Sequence, residues 1–304
     1  MLGKLVVMIP AYNEGATIAE AIRRIPRRIA GIGKVEVLVI DDGSKDSTAK
    51  IARGAGADSV FRHGINRGLG TAFRNGLENA LKMQADIIVN MDADLQFNPE
   101  DIPKLIAPIL AEQADVVTCS RFKDAKLIPK MPFIKKIGNK FFTSLVSALA
   151  GQKFTDTQCG FRAYSREAAL RAMLFGRFTY TQEVLLDLIN KGFRIEEVAC
   201  TVKGQREGKS RIVKHWYVYG IKAMIIIIRS LRDYKPLLFF GSSGIALFSI
   251  GVLSALLALK NLAIVLVILG VLLVALALLA DMSDRQRKIQ EEILYRLKKQ
   301  ELEN

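Results

Sequence analysis

Two long apolar runs near the carboxyl end constrain the fold of this chain most strongly. Residues 237–259 hold 23 amino acids without a charge, and residues 261–280 hold 20 more, with Lys260 between them. A helix that crosses a membrane needs about 20 apolar residues. A buried helix of a soluble protein keeps a polar stripe, which these runs lack. The sequence therefore predicts two transmembrane helices over 237–280, joined by a turn at Lys260 and Asn261, rather than two core helices.

The basic residues that flank the two runs predict their orientation. Three precede the first run and three follow the second, whereas the turn carries only Lys260. Because Lys and Arg are retained on the cytosolic side, both termini and the part of the chain before the first run are predicted to be cytosolic. We therefore expect a multi-pass protein of the cell membrane. The flanking residues are Arg229, Arg232, Lys235, Arg285, Arg287 and Lys288.

The charge balance narrows the class of partner. The chain has 44 Lys and Arg against 30 Asp and Glu, a formal net charge of +14. That excess is typical of nucleic-acid binders, of enzymes with anionic substrates and of proteins on anionic membranes. Here the positive charge gathers near the span ends and two amphipathic segments, which favours a membrane and argues against nucleic acid. Three widely spaced cysteines and two distant histidines argue against a disulfide framework and a histidine-based metal site.

Residues 1–211 are predicted to form an α/β domain, because short β-branched runs alternate with segments of helical periodicity. This alternation indicates parallel strands joined by crossover helices. Asn98 followed by Pro99 predicts a helix start, since Asn is a good cap and Pro suits the first helical position. The predicted strands are 4–9, 35–40, 86–91 and 115–119, and the predicted helices include 18–30 and 47–54.

Three further segments have amphipathic patterns. Residues 132–149 and 212–236 are basic and rich in aromatic residues, as is typical of helices that lie in a membrane surface. For 132–149 an ordinary core-facing helix is the alternative. Residues 281–304 form a charged tail whose Ser283 and Gln286 have capping-box spacing, which predicts a cytosolic helix that begins there. That helix could support a homo-oligomer, as could the spans, or it could be simply solvated.

Polar motifs follow the first two predicted strands, and another lies further along the chain. Residues 10–14 read Pro-Ala-Tyr-Asn-Glu, and residues 41–44 read Asp-Asp-Gly-Ser. Both fall at carboxyl ends of parallel strands, where α/β sheets bind their ligands. Residues 66–70 read Asn-Arg-Gly-Leu-Gly, and glycines there would let the backbone approach a phosphate. Each motif alone is also consistent with an ordinary turn or loop.

Residues 92–96, Asp-Ala-Asp-Leu-Gln, carry the strongest chemical signal. Two neighbouring carboxylates repel each other unless a cation lies between them. Carboxylate and amide oxygens are the ligands that Mg²⁺ and Mn²⁺ prefer, and such a metal can also bind a diphosphate. We therefore predict a Mg²⁺ or Mn²⁺ site formed by Asp92, Asp94 and Gln96.

Together, in this order, the motifs resemble glycosyltransferase family 2, whose members have the GT-A fold. Within that family the chain is similar to the polyprenyl-phosphate hexosyltransferases, the dolichyl-phosphate mannose and glucose synthases. Further matches are Cys-Ser-Arg-Phe at 119–122, the segment 156–168 and the basic run 206–211. Phe97 and Asn98 depart from the mannose synthase pattern, and Cys159 is closer to the glucose branch. A GDP-mannose donor and a UDP-glucose donor therefore both stay open.

The resemblance implies an inverting transfer of a hexose from a nucleotide sugar to a polyprenyl or dolichyl phosphate, giving a lipid-linked sugar. It implies that the nucleotide sugar is bound by Pro10, Ala11, Tyr12, Glu14, Asp41, Asp42, Gly43, Arg67, Gly68, Asp92, Ala93 and Asp94. The lipid phosphate would be bound by Arg121, Arg206, Lys209, Ser210 and Arg211. The catalytic residues would be Asp92, Asp94, Arg121 and Asp156.

Two other functions are alternatives to this one. A processive polysaccharide synthase usually has more spans and a Gln-x-x-Arg-Trp motif, but the single tryptophan here, Trp216, follows Lys-His. A non-catalytic membrane scaffold would not need the intact acidic motif at 92–96. The sequence therefore favours the lipid-phosphate transferase.

Overall fold

The computed structural model describes residues 2–124, 126, 128, 133–174, 180–202, 224–225, 228–229, 231–257 and 259–303. The chain divides into two compact units. The first comprises Met1–Ala223 together with Lys298–Asn304, and the second comprises Met224–Leu297. The basic run predicted to bind the lipid phosphate, Arg206, Lys209, Ser210 and Arg211, lies outside the described residues, as does most of the predicted helix 212–236.

A seven-stranded sheet forms the centre of the first unit, within the part of the chain that the structure describes. Its spatial order is β3-β2-β1-β4-β6-β5-β7. The strands are β1 (Leu2–Ala11), β2 (Ile32–Asp41), β3 (Ser59–Arg62), β4 (Ile87–Asn90), β5 (Val116–Ser120), β6 (Arg162–Ser165) and β7 (Ile195–Ala199).

The strand directions confirm the parallel strands that the sequence predicted, and they add one strand that it did not. Strand β1 runs parallel to both neighbours, with Val7 opposite Val37 of β2 and Val89 of β4. Strand β6, which was not predicted, is antiparallel to β4 and β5. Its Arg162 and Tyr164 break the β-branched pattern that marks the other central strands, so sequence reasoning did not identify it.

Helices cover both faces of this sheet. They are α1 (Ile18–Arg23), α2 (Thr48–Gly54), α3 (Leu69–Lys82), α4 (Ile102–Leu110), α5 (Phe133–Ala150), α6 (Arg166–Arg171) and α7 (Thr181–Asn190). Helix α1 is shorter than the predicted 18–30, because Pro26 lacks an amide donor and disfavours helical backbone before it. A 3₁₀ turn at Pro99–Asp101 precedes α4, and the Asn98 side chain accepts from the Glu100 amide at 3.4 Å, which confirms the predicted cap.

The core of the first unit is a two-sided layer around β1. Residues 5–9 of this strand are all fully buried, on both faces of the sheet. One face packs against α1 and α4. A strand buried on both faces reads as a continuous apolar run, which is why the sequence located β1 and β2 well.

The second unit contains two long apolar helices. A π-helical turn at Leu237–Gly241 continues into α8 (Ser242–Leu256), and α9 runs from Lys260 to Glu303. The helical segment Leu237–Leu256 and α9 are long and apolar enough to cross a membrane, by length and composition. The predicted turn at Lys260 and Asn261 is wrong, because Lys260 already begins α9. The predicted helix start at Ser283 is wrong, since its hydroxyl donates to the Leu279 carbonyl at 3.0 Å inside continuous α9.

Glycines bring α8 and α9 into backbone contact. A Cβ on Gly270 would lie 2.7 Å from the Phe248 nitrogen and 2.8 Å from the Gly244 carbonyl oxygen. A Cβ on Gly251 would meet Val267 at 2.8 Å. Small residues allow close helix packing where lipid offers no hydrophobic drive for association.

We predict that Gly270→Leu separates α8 from α9. The added side chain cannot fit at 2.7 Å from backbone atoms, so overpacking should cost about 1–3 kcal/mol. Thermal unfolding of the second unit in detergent should shift down by several degrees. Val271→Leu is the matched control, because the Val271 side chain is exposed on the same helix. Equal stability of the two variants would contradict the described contact.

Candidate active site

The predicted site residues of the described chain meet at one edge of the sheet. Strands β1, β2, β4 and β5 all point their carboxyl ends to this edge. Residues 10–14, 41–44 and 92–96 follow the first three of these strands, and Arg121 follows β5. Because β6 runs in the opposite direction, the segment 156–160 that precedes it reaches the same edge.

The first two motifs form one interlocked corner. The Asp42 amide donates to the Ala11 carbonyl at 2.8 Å, and the Asn13 amide donates to the Ser44 hydroxyl at 2.8 Å. The Lys45 amide donates to Asn13 Oδ1 at 2.7 Å, with Asn13 in the left-handed region at φ 53°. Each motif therefore holds the other in place.

The other residues predicted to bind the nucleotide in this corner differ in exposure. Pro10 is buried within β1, while Tyr12 and Glu14 are half-buried just after it. The Glu14 amide donates to Thr48 Oγ1 at 2.9 Å, at the start of α2. The side chains of Tyr12 and Glu14 are thus placed at the strand edge by a backbone that is itself anchored.

Asp41 and Asp42 are buried carboxylates with different surroundings. Asp41 Oδ1 accepts from the Ser44 amide at 2.9 Å, and its Oδ2 forms an ion pair with Arg62 Nε at 3.2 Å. Asp42 instead accepts from the amides of Arg67 at 2.8 Å and Gly68 at 2.9 Å. Asp42 therefore joins the second motif directly to the glycine-rich loop 66–70.

Gly43 allows this loop to approach. Its φ is +72°, and a Cβ there would lie 2.4 Å from the Ile65 carbonyl carbon and 2.6 Å from the Asn66 nitrogen. No side chain can be accommodated at those distances from backbone atoms. The sequence singled out Gly43 as a nucleotide contact, and the structure gives it a second, steric requirement.

The acidic motif after β4 forms a tight turn. Asp94 is buried, and its Oδ1 accepts from the Gln96 amide at 3.1 Å. Leu95 between them has φ +59°, in the left-handed region. Ala93 is buried and Asp92 is half-buried. The turn therefore brings two carboxylates and one amide side chain to the sheet edge within five residues.

The acidic turn at 92–96 could hold a metal ion only if water and a bound substrate supplied the remaining metal ligands. Among the described residues, no group of three or more His, Cys, Asp or Glu side chains could hold a metal ion. Mg²⁺ and related cations are commonly bound through one or two carboxylates, with water and substrate phosphates completing the shell. Asp92 and Asp94, with Gln96 beside them, fit that second kind of site.

Three residues to which the sequence gave no role, Gly160, Tyr180 and Asn90, lie around Asp92. A Cβ on Gly160 would lie 2.8 Å from Tyr180 Oη and 3.3 Å from Asp92 Oδ2. Asn90 Nδ2 donates to the Gly160 carbonyl at 2.8 Å and to Tyr180 Oη at 2.6 Å. Burial, and then the negative charge of Asp92, raise the pKa of Tyr180 well above its usual value. The phenol therefore stays protonated beside the carboxylate. The sequence signal for this cluster was the polar Asn90 at the end of the otherwise apolar strand β4.

Arg121 and Asp156, predicted to be catalytic, form a bidentate ion pair. Arg121 Nε donates to Asp156 Oδ2 at 2.6 Å and its Nη2 donates to Oδ1 at 2.9 Å. Asp156 is fully buried and the Arg121 side chain is 23% exposed. Burial alone would raise the pKa of Asp156, but the charge and hydrogen bonds of Arg121 outweigh it and lower that pKa. Arg121 is thus held in one orientation at the surface.

Two further side chains fix this pair, and neither was predicted. Asn139 of α5 is buried and its Nδ2 donates to Asp156 Oδ1 at 3.1 Å. Glu197 of β7 accepts from the Asp156 amide at 2.9 Å and from the Thr155 amide at 2.8 Å. Helix α5 is therefore joined to the site through Asn139.

The exposed side of α5 carries apolar side chains beside Lys136 and Lys140. Its Phe142, Thr143 and Val146 are buried, whereas Ile137 and Phe141 are 52% and 54% exposed. The apolar face predicted from the sequence is thus exposed at these two positions, which argues against the alternative of a core-facing stripe.

A cavity of about 500 Å³ lies beside Asn139. Its lining is basic and rich in hydroxyl groups, with aromatic residues at 122 and 154. Such a lining suits a ligand with an anionic head and an apolar part. The lining residues are Phe122, Ile128, Lys136, Asn139, Lys140, Thr143, Ser144, Ser147, Lys153, Phe154 and Thr155.

Comparison with known proteins agrees with this geometry. The family model for Glycosyl transferase family 2 matches residues 6–171. A UDP-N-acetylglucosamine–dolichyl-phosphate N-acetylglucosaminyltransferase of Methanococcus voltae is 35% identical over 185 residues, which are 55% of this chain and 72% of that protein. A polyprenol monophosphomannose synthase of Mycolicibacterium smegmatis is 29% identical over 218 residues, 69% of this chain and 81% of that protein.

A solved structure shares the fold of the sheet and its helices. Glucosyl-3-phosphoglycerate synthase from Mycobacterium tuberculosis, crystallised with Mn²⁺, UDP and glucosyl-3-phosphoglycerate, matches with a TM-score of 0.58 and 24% identity. The match covers 76% of this chain and 79% of that one. It confirms the predicted α/β fold of the GT-A type.

We predict that Asp156→Asn destabilises the first unit by about 3 kcal/mol, the low end for breaking a buried ion pair, because Arg121 keeps some exposure. Because Asp156 has a lowered pKa in the folded state, its contribution is present above the unfolded pKa of about 4 and is lost as pH falls through the folded pKa. The stability gap between wild type and variant should therefore be constant from about pH 5 to pH 8 and shrink in stronger acid.

Thermal unfolding across pH measures this gap. Glu167→Gln, which removes the exposed Arg171 pair on α6, is the matched control and should cost less than about 1 kcal/mol. A gap for Asp156→Asn that grows on acidification, or that equals the control, would contradict the role of this ion pair.

Proposed function

The chain belongs to glycosyl transferase family 2, and from this premise we propose that it transfers a hexose from a nucleotide sugar to a polyprenyl phosphate. One observation carries the proposal. The same sheet edge presents an acidic turn at Asp92–Gln96 and, on the adjoining strands, an anchored arginine beside a basic cavity with an apolar helix face. The two relatives named above support it, since one uses dolichyl phosphate and the other a polyprenol.

The donor would lie over the ends of β1, β2 and β4. Asp41 is a buried carboxylate at the end of β2 with Arg62 beside it, suited to accept hydrogen bonds from a base or ribose. The loop at Arg67 and Gly68 precedes the first turn of the 14-residue helix α3. The amides of these two residues already donate to Asp42. The positive end of α3 and the charge of the exposed Arg67 would favour the diphosphate.

Asp92, Asp94 and Gln96 would hold Mg²⁺ or Mn²⁺ together with that diphosphate. When bound, the metal would stabilise negative charge on the departing nucleoside diphosphate. Gly160 leaves room for Asp92 next to Tyr180, and the turn at Leu95 places Asp94 close by in the chain. This chain would thus supply part of the metal's ligands, and the donor would supply others.

The acceptor phosphate would bind at Arg121, with the lysines of the neighbouring cavity. A phosphate monoester has a second pKa near ~6, so it is largely dianionic at neutral pH and needs no strong base. Its oxygen would attack the anomeric carbon, form the new C–O bond and break the bond to the nucleoside diphosphate. Attack from the side opposite the leaving group inverts the anomeric centre. The guanidinium of Arg121, held by Asp156, orients the nucleophile.

Membrane attachment would supply this acceptor. We propose that α8 and α9 cross the bilayer with both chain ends in the cytosol, since Lys and Arg flank the outer ends of the hairpin. The exposed Ile137 and Phe141 of α5 would rest in the membrane surface. Tethering raises the effective concentration of a lipid acceptor at the site.

The proposal predicts that detergent-solubilised full-length protein converts a polyprenyl phosphate to its monohexosyl product. GDP-mannose, UDP-glucose and UDP-N-acetylglucosamine should be tested separately with Mg²⁺ and Mn²⁺, and products measured by lipid mass. One donor should give a lipid heavier by one sugar residue, with free nucleoside diphosphate in equal amount. Sugar transfer to water or to a growing polysaccharide, with none to the lipid, would refute the acceptor.

The metal assignment predicts a second result. Excess chelator should abolish transfer, and added Mg²⁺ or Mn²⁺ should restore it. Asp94→Asn should lower kcat by about a hundredfold or more, because it weakens a contact to charge that develops in the transition state. Glu100→Gln, an exposed carboxylate four residues beyond the motif, should keep wild-type kcat. Full activity in chelator, or an equal effect of the two variants, would show that Asp94 does not serve a metal.

A further inference from the structure

His63 is a buried imidazole that joins three elements of the donor edge. It directly follows β3, and its side chain is almost fully buried. Its Nδ1 lies 2.6 Å from Asp42 Oδ1, after β2, and its Nε2 lies 2.8 Å from Asn75 Nδ2, in α3. Its own amide donates to the Asp41 carbonyl at 2.9 Å. Sequence reasoning gave His63 no role beyond excluding a histidine metal site.

The two contacts of the imidazole fix its hydrogen-bonding direction. An ionised carboxylate only accepts, so Nδ1 must donate to Asp42. The amide of Asn75 then donates to the unprotonated Nε2, which selects the tautomer that carries its proton on Nδ1. Asn75 therefore acts on Asp42 through His63, although it does not touch the carboxylate.

Asp42 accepts hydrogen bonds both from His63, the end of the Asn75–His63 relay, and from the glycine-rich loop 66–70. Its two oxygens accept from His63 and from the amides of Arg67 and Gly68. The loop has little packing of its own, since Ile65 is 71% exposed and Asn66 and Arg67 are also exposed. Its conformation therefore depends on how firmly Asp42 is held.

We propose that His63 and Asn75 are positioning residues for the donor diphosphate, acting through Asp42 to preset the Arg67–Gly68 backbone before the nucleotide binds. This inference rests on the proposed function, which places the diphosphate at that loop. Neither residue would contact the nucleotide. Without the relay the loop would sample other conformations, and apparent affinity falls in proportion to the competent fraction.

A purely structural role for His63 predicts something different. A residue that only stabilises the fold would, when removed, loosen β2 and the loop alike and lower the unfolding temperature. The loss of a positioning residue should loosen the loop while β2, which is buried from Val35 to Asp41, keeps its protection from exchange.

The experiment uses full-length protein in detergent and two readouts. Hydrogen–deuterium exchange is followed without ligand in peptides covering residues 64–70 and 35–41. Affinity for UDP and for GDP, each with Mn²⁺, is measured by calorimetry. The variants are His63→Ala, His63→Gln and Asn75→Ala. Asn79→Ala is the matched control, because Asn79 lies one turn further along α3 and its side chain donates to the Asn75 carbonyl rather than to His63 or Asp42.

His63→Ala should exchange faster at 64–70 than wild type, with 35–41 unchanged, and should bind the preferred nucleotide about tenfold more weakly, if the competent fraction falls to roughly a tenth. Asn75→Ala should shift both readouts in the same direction by less. His63→Gln, which retains a donor, should recover part of the affinity. Asn79→Ala should match wild type.

The outcomes separate this inference from the proposed function. If wild type binds neither nucleotide, the donor proposal fails and this inference fails with it. If wild type binds but His63→Ala and Asn75→Ala match it in both readouts, the relay is refuted while the donor proposal stands. Faster exchange of 35–41 to the same degree as 64–70 would also refute it. If His63→Ala does not fold, His63→Gln and Asn75→Ala decide, and wild-type behaviour of both refutes the inference.

Discussion

The parallel pairing of β1 with both β2 and β4 is the interaction on which the site depends. It aligns the ends of three strands, so that segments separated by about eighty residues of sequence reach one edge. Most of the paired residues, such as those at 5–9 of β1, are apolar and buried and serve only the fold. Pro10, Ala11 and Asp41, at the paired strand ends, belong to the proposed donor site. Because side chains alternate along a strand, a slip of one residue in β2 would turn Asp41 toward the opposite face. Burial of both faces of β1 makes such a slip costly.

The reversed strand β6 adds the second half of the site. A parallel strand at that position would have begun at the opposite edge, far from Asp92. The antiparallel direction instead returns 156–160 to the carboxyl edge, where Gly160 lies against Asp92 and Asp156 holds Arg121. Asp156 persists as a buried carboxylate because Arg121 and Asn139 donate to it, in keeping with the high cost of burying an unpaired charge.

The sequence predicted the parts of the fold that have a strong local signal. Continuous β-branched runs located β1, β2, β4 and β5, and the acidic turn at 92–96 stood out by its chemistry. Strand β6 was missed because the buried Arg162 is satisfied by contacts that only the fold brings together, to Thr118 of β5 and to Thr181 of α7, along with one to Thr157 nearby in sequence. The sequence also could not predict which side chains contact Asp42 and Asp156. His63, Asn139 and Glu197 are distant from them in sequence and come close only in the folded chain. The predicted turn at Lys260 and the predicted helix start at Ser283 were wrong because polar residues suggest turns and helix ends. In the structure α9 begins at Lys260 and continues through Ser283.

The central claim is that this edge binds a metal–nucleotide donor through the acidic turn. A structure of the full-length protein with UDP or GDP and Mn²⁺, recorded at the manganese absorption edge, tests it most directly. The account predicts an anomalous peak within coordination distance of the Asp94 carboxylate, with the diphosphate bridging it to the loop at Arg67 and Gly68. Nucleotide bound elsewhere, or bound at this edge with no manganese near Asp92 or Asp94, would contradict it.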